Sequence, residues 1–179
     1  MPTPERTSLA EIVEAARALL ESGGPSGVTM NAVAARVGVR APSLYKRVRD
    51  RDALIVLVAE ATANELAGRL AASARSLAGH ARTLRAFAHE RPEGFRLMFV
   101  TAEAAEAAGR AAAPVVEAAA EFVGPERALD AARLFTAWAT GFVTMELAGS
   151  FRMGGDVDEA FEFALATIEA GLAARSCRP

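Results

Sequence analysis

Residues 29–52, TMNAVAARVGVRAPSLYKRVRDRD, decide how this chain is read. Thr29 is suited to cap a short helix whose apolar side is Met30, Val33, Ala34 and Val37. Gly38 suits the left-handed residue that ends such a helix, and Gly38-Val39-Arg40 forms a turn. Pro42 then fits the first turn of a second short helix. Leu44 and Val48 stand four apart, so one face of that helix packs inward while Ser43, Lys46 and Arg47 point outward. Arg36, Arg40, Lys46, Arg47, Arg49 and Arg51 give the stretch a positive charge, opposed before Asp52 by Asp50 alone. The pattern is a helix-turn-helix with a basic outer face.

The rest of the chain has the opposite charge. Of 20 Lys+Arg and 22 Asp+Glu in 179 residues, residues 1–51 hold eight and five, leaving twelve and seventeen for the remainder. A basic head on an acidic body points to a polyanionic partner for the head alone. The abundance of alanine and the lack of strand-length β-branched runs indicate an all-α chain. A single cysteine, Cys177, excludes an intrachain disulfide or a cysteine-based metal site. No apolar run reaches the ~20 residues that span a bilayer, and no signal-peptide pattern opens the chain, so a cytoplasmic protein with no membrane partner is expected.

Outward from the basic stretch, about nine helices are expected. Ser8 with Glu11 forms a capping box for helix 1, which should stop at Gly23-Gly24-Pro25. Asp50 caps a long helix 4 running from Arg51 to about Leu77, the connector between head and body. A fifth helix follows Gly79 and breaks near Pro92; a short sixth carries Phe95, Leu97, Met98 and Phe99. Pro114 interrupts the alanine-rich stretch 101–113, and an apolar stripe then runs to Gly124-Pro125. Two last helices are expected, at about 126–150 and from Asp156 onward. The implied domains are 1–50, a three-helix head, and 51–179, a helical body.

A helix of this size fits the DNA major groove, and side chains on its outer face reach base edges. Arg40, Ser43 and Lys46 are candidate base readers. Thr29, Tyr45, Arg47 and Arg51 are candidate phosphate clamps, assisted by backbone amides at the starts of helices 2 and 4. Double-stranded DNA is therefore the expected partner.

The order Val28-Thr29-Met30, Ala34-Ala35-Arg36-Val37-Gly38-Val39 and Ser43-Leu44-Tyr45 resembles the DNA-binding domain of the tetracycline-repressor (TetR) family over residues 8–55. Arg51-Asp52-Ala53-Leu54 is similar to that family's opening of helix 4, with arginine in place of lysine, and Val48 stands where phenylalanine is common. His89 to Phe99 resembles a segment of members with the WHG type of C-terminal domain. Trp138-Ala139-Thr140-Gly141 stands at its Trp-His-Gly motif, with Thr140 at the usual histidine. The resemblance implies a transcriptional regulator, expected to be a repressor: a homodimer joined through its last two helices and released from its operator by a small molecule bound in the C-terminal domain.

Two heads on a two-fold axis would read half-sites roughly 34 Å apart, which independently favours a dimer. Phe161, Leu165, Ile168 and Leu172 form the apolar stripe of the last helix and are the candidate dimer face. Phe87, Phe95, Met98, Phe99, Phe122, Trp138, Phe142 and Met145 could line an apolar ligand cavity or simply fill the core. Thr140, Thr144 and Glu146 could orient a ligand, or equally bond backbone or a partner subunit. His80 and His89 lack metal-ligand companions and are expected to be solvated or helix-terminal. No phosphate loop, nucleophile elbow or placed carboxylate pair suggests catalysis, a metal or a cofactor. The rival reading is a helical ligand-binding or scaffold protein without operator recognition.

Overall fold

The structure, a computed structural model, describes residues 7–99, 106, 109 and 112–176. Among these the chain forms nine α-helices and no strand: α1 (Leu9–Gly27), α2 (Met30–Arg36), α3 (Ala41–Leu44), α4 (Arg51–Ala72), α5 (Leu77–Glu90), α6 (Pro92–Leu97), α7 (Ala113–Val123), α8 (Ala128–Leu147) and α9 (Val157–Ser176). Most of the expected stretch 101–113 lies outside the described residues. The contacts divide the chain into two compact units, and not at residue 50. One holds residues up to 64 together with α6, the other residues 65–90 together with α7–α9. The division thus falls within α4, between Asn64 and Glu65.

In the first unit the helix ends are set locally. The Ser8 hydroxyl accepts the Glu11 N–H at 3.2 Å and the Glu11 carboxylate accepts the Ser8 N–H at 2.7 Å, which is the expected capping box. Helix α1 breaks at Gly24 (φ 64°, ψ −173°), and Pro25 begins one more turn that ends at Gly27. At α4 the Asp50 carboxylate accepts the Ala53 N–H at 2.8 Å. The core joins Ile12, Ala16 and Leu20 of α1 to Met30 and Val33 of α2, Leu44 of α3, Val48, Leu54 and Val58 of α4, and Leu97 of α6. The N-terminus of α6 is held by a side chain: the Glu21 carboxylate accepts the N–H groups of Glu93 at 3.1 Å and Gly94 at 2.9 Å. A Cβ on Gly94 would sit 2.9 Å from a Glu21 oxygen and 3.0 Å from Thr62 Cγ2, so this close approach requires glycine.

In the second unit α4 ends at Ala72 rather than near Leu77, and α5 begins at Leu77 rather than after Gly79. Serines account for both shifts. The Ser73 hydroxyl turns back to the Leu70 carbonyl at 2.8 Å, and the Ser76 hydroxyl caps α5 by accepting the Gly79 N–H at 3.0 Å. Leu77 and Ala81 of α5, Val115 and Ala119 of α7, Phe135 of α8, and Phe161, Leu165 and Leu172 of α9 form one core. Within it Trp138 stacks on Phe161 at 5.4 Å between centroids, and Phe142 meets Phe161 edge-on at 5.3 Å. Arginines fasten α5 to α8 and α9. Arg85 binds Glu146 at 2.5 Å and Asp158 at 2.5 Å while lying over the Phe161 ring, and Arg82 binds Glu162 at 2.6 Å.

A candidate nucleic-acid interface on the first unit

Helix α2 starts where the Thr29 hydroxyl accepts the Ala32 N–H at 3.1 Å. It ends at Gly38, whose φ of 72° lets the Val39 N–H return to the Ala34 carbonyl at 3.0 Å. Arg40 and Pro42 then open α3, which is only four residues long. So short a helix cannot hold itself. Leu44, with no exposed surface, anchors it in the core, and the N–H groups of Arg47 and Val48 close the following turn on the Leu44 carbonyl. Because Leu44 and Val48 are buried, the chain between and before them faces outward. Arg40, Ser43, Tyr45, Lys46 and Arg47 are all exposed, as are Thr29 and Arg51.

The structure brings these seven residues onto the first unit but gives them different surroundings. Arg51 does not extend freely from its helix. Its Nε donates to the Val28 carbonyl at 2.7 Å and its Nη2 to the Pro25 carbonyl at 2.5 Å. Arg49 is paired with Asp50 at 2.6 Å. At the start of α4, expected to offer backbone amides to phosphate, the Ala53 N–H is bonded to the Asp50 carboxylate. The backbone N–H of Ala53 and the side chain of Arg49 hold the Asp50 carboxyl below its usual range. Arg36, exposed in the last turn of α2, is a further cation of the first unit.

The candidate pocket residues of the body have different surroundings. Phe87 is buried on α5; Phe95 and Met98 are buried in the first unit, where Phe95 packs edge-on against Phe99. Phe99 is itself 53% exposed and Met145 48% exposed. Phe122 is partly buried, and Trp138 and Phe142 belong to the aromatic packing around Phe161. The Thr144 hydroxyl donates to the Thr140 carbonyl, and Glu146 is engaged by Arg85 and His89. Among the described residues the second unit has two hollows, each bordered by charged side chains together with apolar groups, among them Ala118 at the first and Phe161 at the second. One, of about 180 Å³, is bordered by Leu70, Arg75, His80, Pro114, Glu117 and Glu121. The other, wide and open at about 580 Å³, is bordered by Arg82, Arg85, His89, Glu146, Asp158 and Glu162. Of the two histidines, His89 is helix-terminal as expected, in the last turn of α5 beside Glu146, whereas His80 in the first turn of that helix is buried rather than solvated.

The expected dimer face is corrected as well. Phe161, Leu165 and Leu172 are buried inside their own protomer, and Ile168 is partly buried against the same core, so this stripe faces inward. The outward apolar residues of the last two helices are Leu129, Leu134 and Met145 on α8 and Phe163 on α9, with Phe151 and Met153 between the helices. Ala137, Gly141, Ala166, Ala170 and Gly171 are exposed beside them.

A glycine-led turn between two short helices, with its apolar side buried and a basic outer face, defines a helix-turn-helix protein of the DNA-binding regulator class. Residues 12–58 match the description "bacterial regulatory proteins, tetR family", and residues 77–168 match "tetracyclin repressor-like, C-terminal domain". The chain belongs to the TetR family of transcriptional regulators.

Among solved structures it is similar to the protein SCO4313, with 30% identity over 89% of this chain and 93% of that one at a TM-score of 0.77. It is also similar to a protein of unknown function from Rhodococcus sp. RHA1, with 25% identity, 96% and 99% coverage and a TM-score of 0.78. A TetR variant from Acinetobacter baumannii AYE in complex with minocycline shares 26% identity over 96% and 99% of the two chains, at a TM-score of 0.69. No curated protein matches the chain in sequence. Among the described residues no helix is long and apolar enough to cross a membrane.

Proposed function

We propose that this regulator is a homodimeric repressor whose release from its operator is governed by a small molecule held in the second unit. The observation that carries the DNA reading is the burial of Leu44 beneath an exposed row of Arg40, Ser43, Tyr45, Lys46 and Arg47. Arg40, Ser43 and Lys46 read base edges, since Arg and Lys on guanine are the commonest specific contacts. Thr29, Tyr45 and Arg47 meet phosphates. Arg51 is a brace in this reading, because both of its bonded nitrogens are spent on main-chain carbonyls.

A second copy covers the outward faces of α8 and α9. Leu134, Met145 and Phe163 supply apolar area, and Ala137, Gly141, Ala166 and Gly171 let the helices approach closely. The minocycline-bound relative supports a small-molecule effector without identifying the one used here. Release requires the effector to bind the DNA-free arrangement more tightly than the DNA-bound one.

Gel shift against duplex fragments flanking the protein's own gene, over a salt series, tests this reading. Binding of one fragment above the rest, with affinity falling steeply as salt rises, is the expected result. Equal affinity for all fragments would overturn operator recognition.

A further inference from the structure

His80 is one of two histidines in the chain and is 2% exposed. Its Nδ1 lies 3.0 Å from the Ser73 Oγ and its Nε2 3.2 Å from the Pro114 carbonyl oxygen. The Ser73 Oγ in turn lies 2.8 Å from the Leu70 carbonyl oxygen. Leu70 O, Ser73 Oγ, the imidazole and Pro114 O therefore form a row with three gaps, and each end is a carbonyl that can only accept. Three gaps need three hydrogens. The hydroxyl brings one, a neutral imidazole one, and an imidazolium two.

With a neutral ring every arrangement leaves one gap with lone pairs facing each other. If Nε2 carries the hydrogen, the single hydroxyl hydrogen must choose between Leu70 O and Nδ1. If Nδ1 carries it, Nε2 faces the Pro114 oxygen bare. Only the imidazolium fills all three gaps: Nε2–H to Pro114 O, Nδ1–H to Ser73 Oγ, and Oγ–H to Leu70 O. The groups around the row pull in both directions. Arg75, just past α4, opposes a charge on the ring; Glu117 and Glu121 of α7, on the rim of the same hollow, favour it. From α9, Glu169 accepts the Ala78 N–H at the start of α5. Burial outweighs the help of the Pro114 carbonyl and holds the His80 pKa below its ordinary value.

We propose that this row is a proton-operated latch: a proton taken from solvent by His80 completes the missing hydrogen bond among α5, the last turn of α4 and the first turn of α7, while the charge buried with it lowers the stability of the fold as a whole against unfolding. No covalent bond changes, and the latch stands whether or not the DNA reading does.

The test is a pH titration of the ring nitrogens by NMR in the full chain, with His89→Gln leaving a single imidazole. In acid, both His80 N–H groups should appear and exchange slowly with solvent. The Ser73 amide, bonded to the Leu70 carbonyl at 3.2 Å, should gain protection beyond the intrinsic pH effect. Ser73→Ala removes the acceptor for Nδ1–H, so it should move the titration to lower pH and abolish the gain; Ser73→Thr should restore both. An unchanged titration in Ser73→Ala, or an Nδ1–H that exchanges at the solvent rate in the wild type, would overturn the latch. Should Ser73→Ala not fold, the wild-type exchange rate decides alone.

Discussion

The guanidinium of Arg51 reaches back 23 residues to the carbonyl of Val28, at 2.7 Å, with a second bond to the carbonyl of Pro25. Val28 immediately precedes Thr29, the cap of α2. The first residue of α4 thus fixes where the helix-turn-helix begins. Substituting Arg51→Ala should cost about 1–2 kcal/mol of stability, the low end for bonds from a charged donor because the side chain is partly exposed. Lysine, with no planar fork, should not restore it. On random-sequence duplex DNA the variant should bind more weakly at every salt concentration with an unchanged salt slope. A loss of about 0.9 in that slope, with rescue by lysine, would make Arg51 a phosphate contact instead.

The four-residue α3 depends on one side chain. Leu44→Ala leaves a cavity under the turn, and a cost of roughly 2–5 kcal/mol is expected in urea denaturation. DNA binding should fall with it. By contrast Lys46→Ala should leave the urea midpoint unchanged and alter preference among DNA sequences. A variant at Leu44 with wild-type stability would mean that α3 is held by something other than its buried leucine.

Two phenylalanines two residues apart on α9 should behave oppositely. Phe161→Ala removes a ring from the stack with Trp138 and Phe142 and should destabilise the protomer by about 3–5 kcal/mol. Phe163 is 74% exposed, so Phe163→Glu should leave the protomer folded while sedimentation shows the dimer dissociating. If wild type and Phe163→Glu both sediment as dimers, the second copy sits elsewhere; if both sediment as monomers, the proposed dimer is overturned.

Acid should weaken the fold in two windows. The pKa of His80 is held below the ordinary 6.5 by burial, so the unfolded chain takes up that proton first. Stability should therefore begin to fall as the pH drops through 6.5, and stop falling on this account below the folded value. Glu146 acts lower down. Its hydrogen bond from Arg85 holds it below the ordinary 4.5, and that stabilisation is present above 4.5 and lost as the pH falls through the lowered value. Urea midpoints from pH 8 to about pH 3 in wild type and His80→Gln should separate the two, the upper window disappearing in the variant.

What the sequence disclosed was local. The Ser8–Glu11 box, the Thr29 cap and the left-handed Gly38 depend on residues within five positions of one another, and each stands where it was expected. The outward basic row followed from the spacing of two apolar residues. What failed needed distant partners. Helix α9 carries apolar or small residues on more than one side, and periodicity identified the Phe161 stripe without telling whether it meets its own protomer or another. Arg51 finds acceptors in the last turn of α1 and in Val28 just beyond it, and His80 finds one in Pro114, 34 residues on. No spacing rule announces such partners. The serines at 73 and 76, which end one helix and start the next, carried a readable signal that alanine richness on either side obscured.

The Glu21 carboxylate on the first turn of α6 has a bearing on how the chain is made. The first unit is assembled from two stretches separated in sequence by α5, and its core includes Leu97. During synthesis the DNA-reading end emerges first but cannot close its core until residue 97 has followed. A fragment cut at residue 64 lacks both Leu97 and the amides that Glu21 binds, so the head is not a cassette that can be excised and grafted intact. Its completion waits on chain made later, which ties the birth of the reading end to that of the helices behind it.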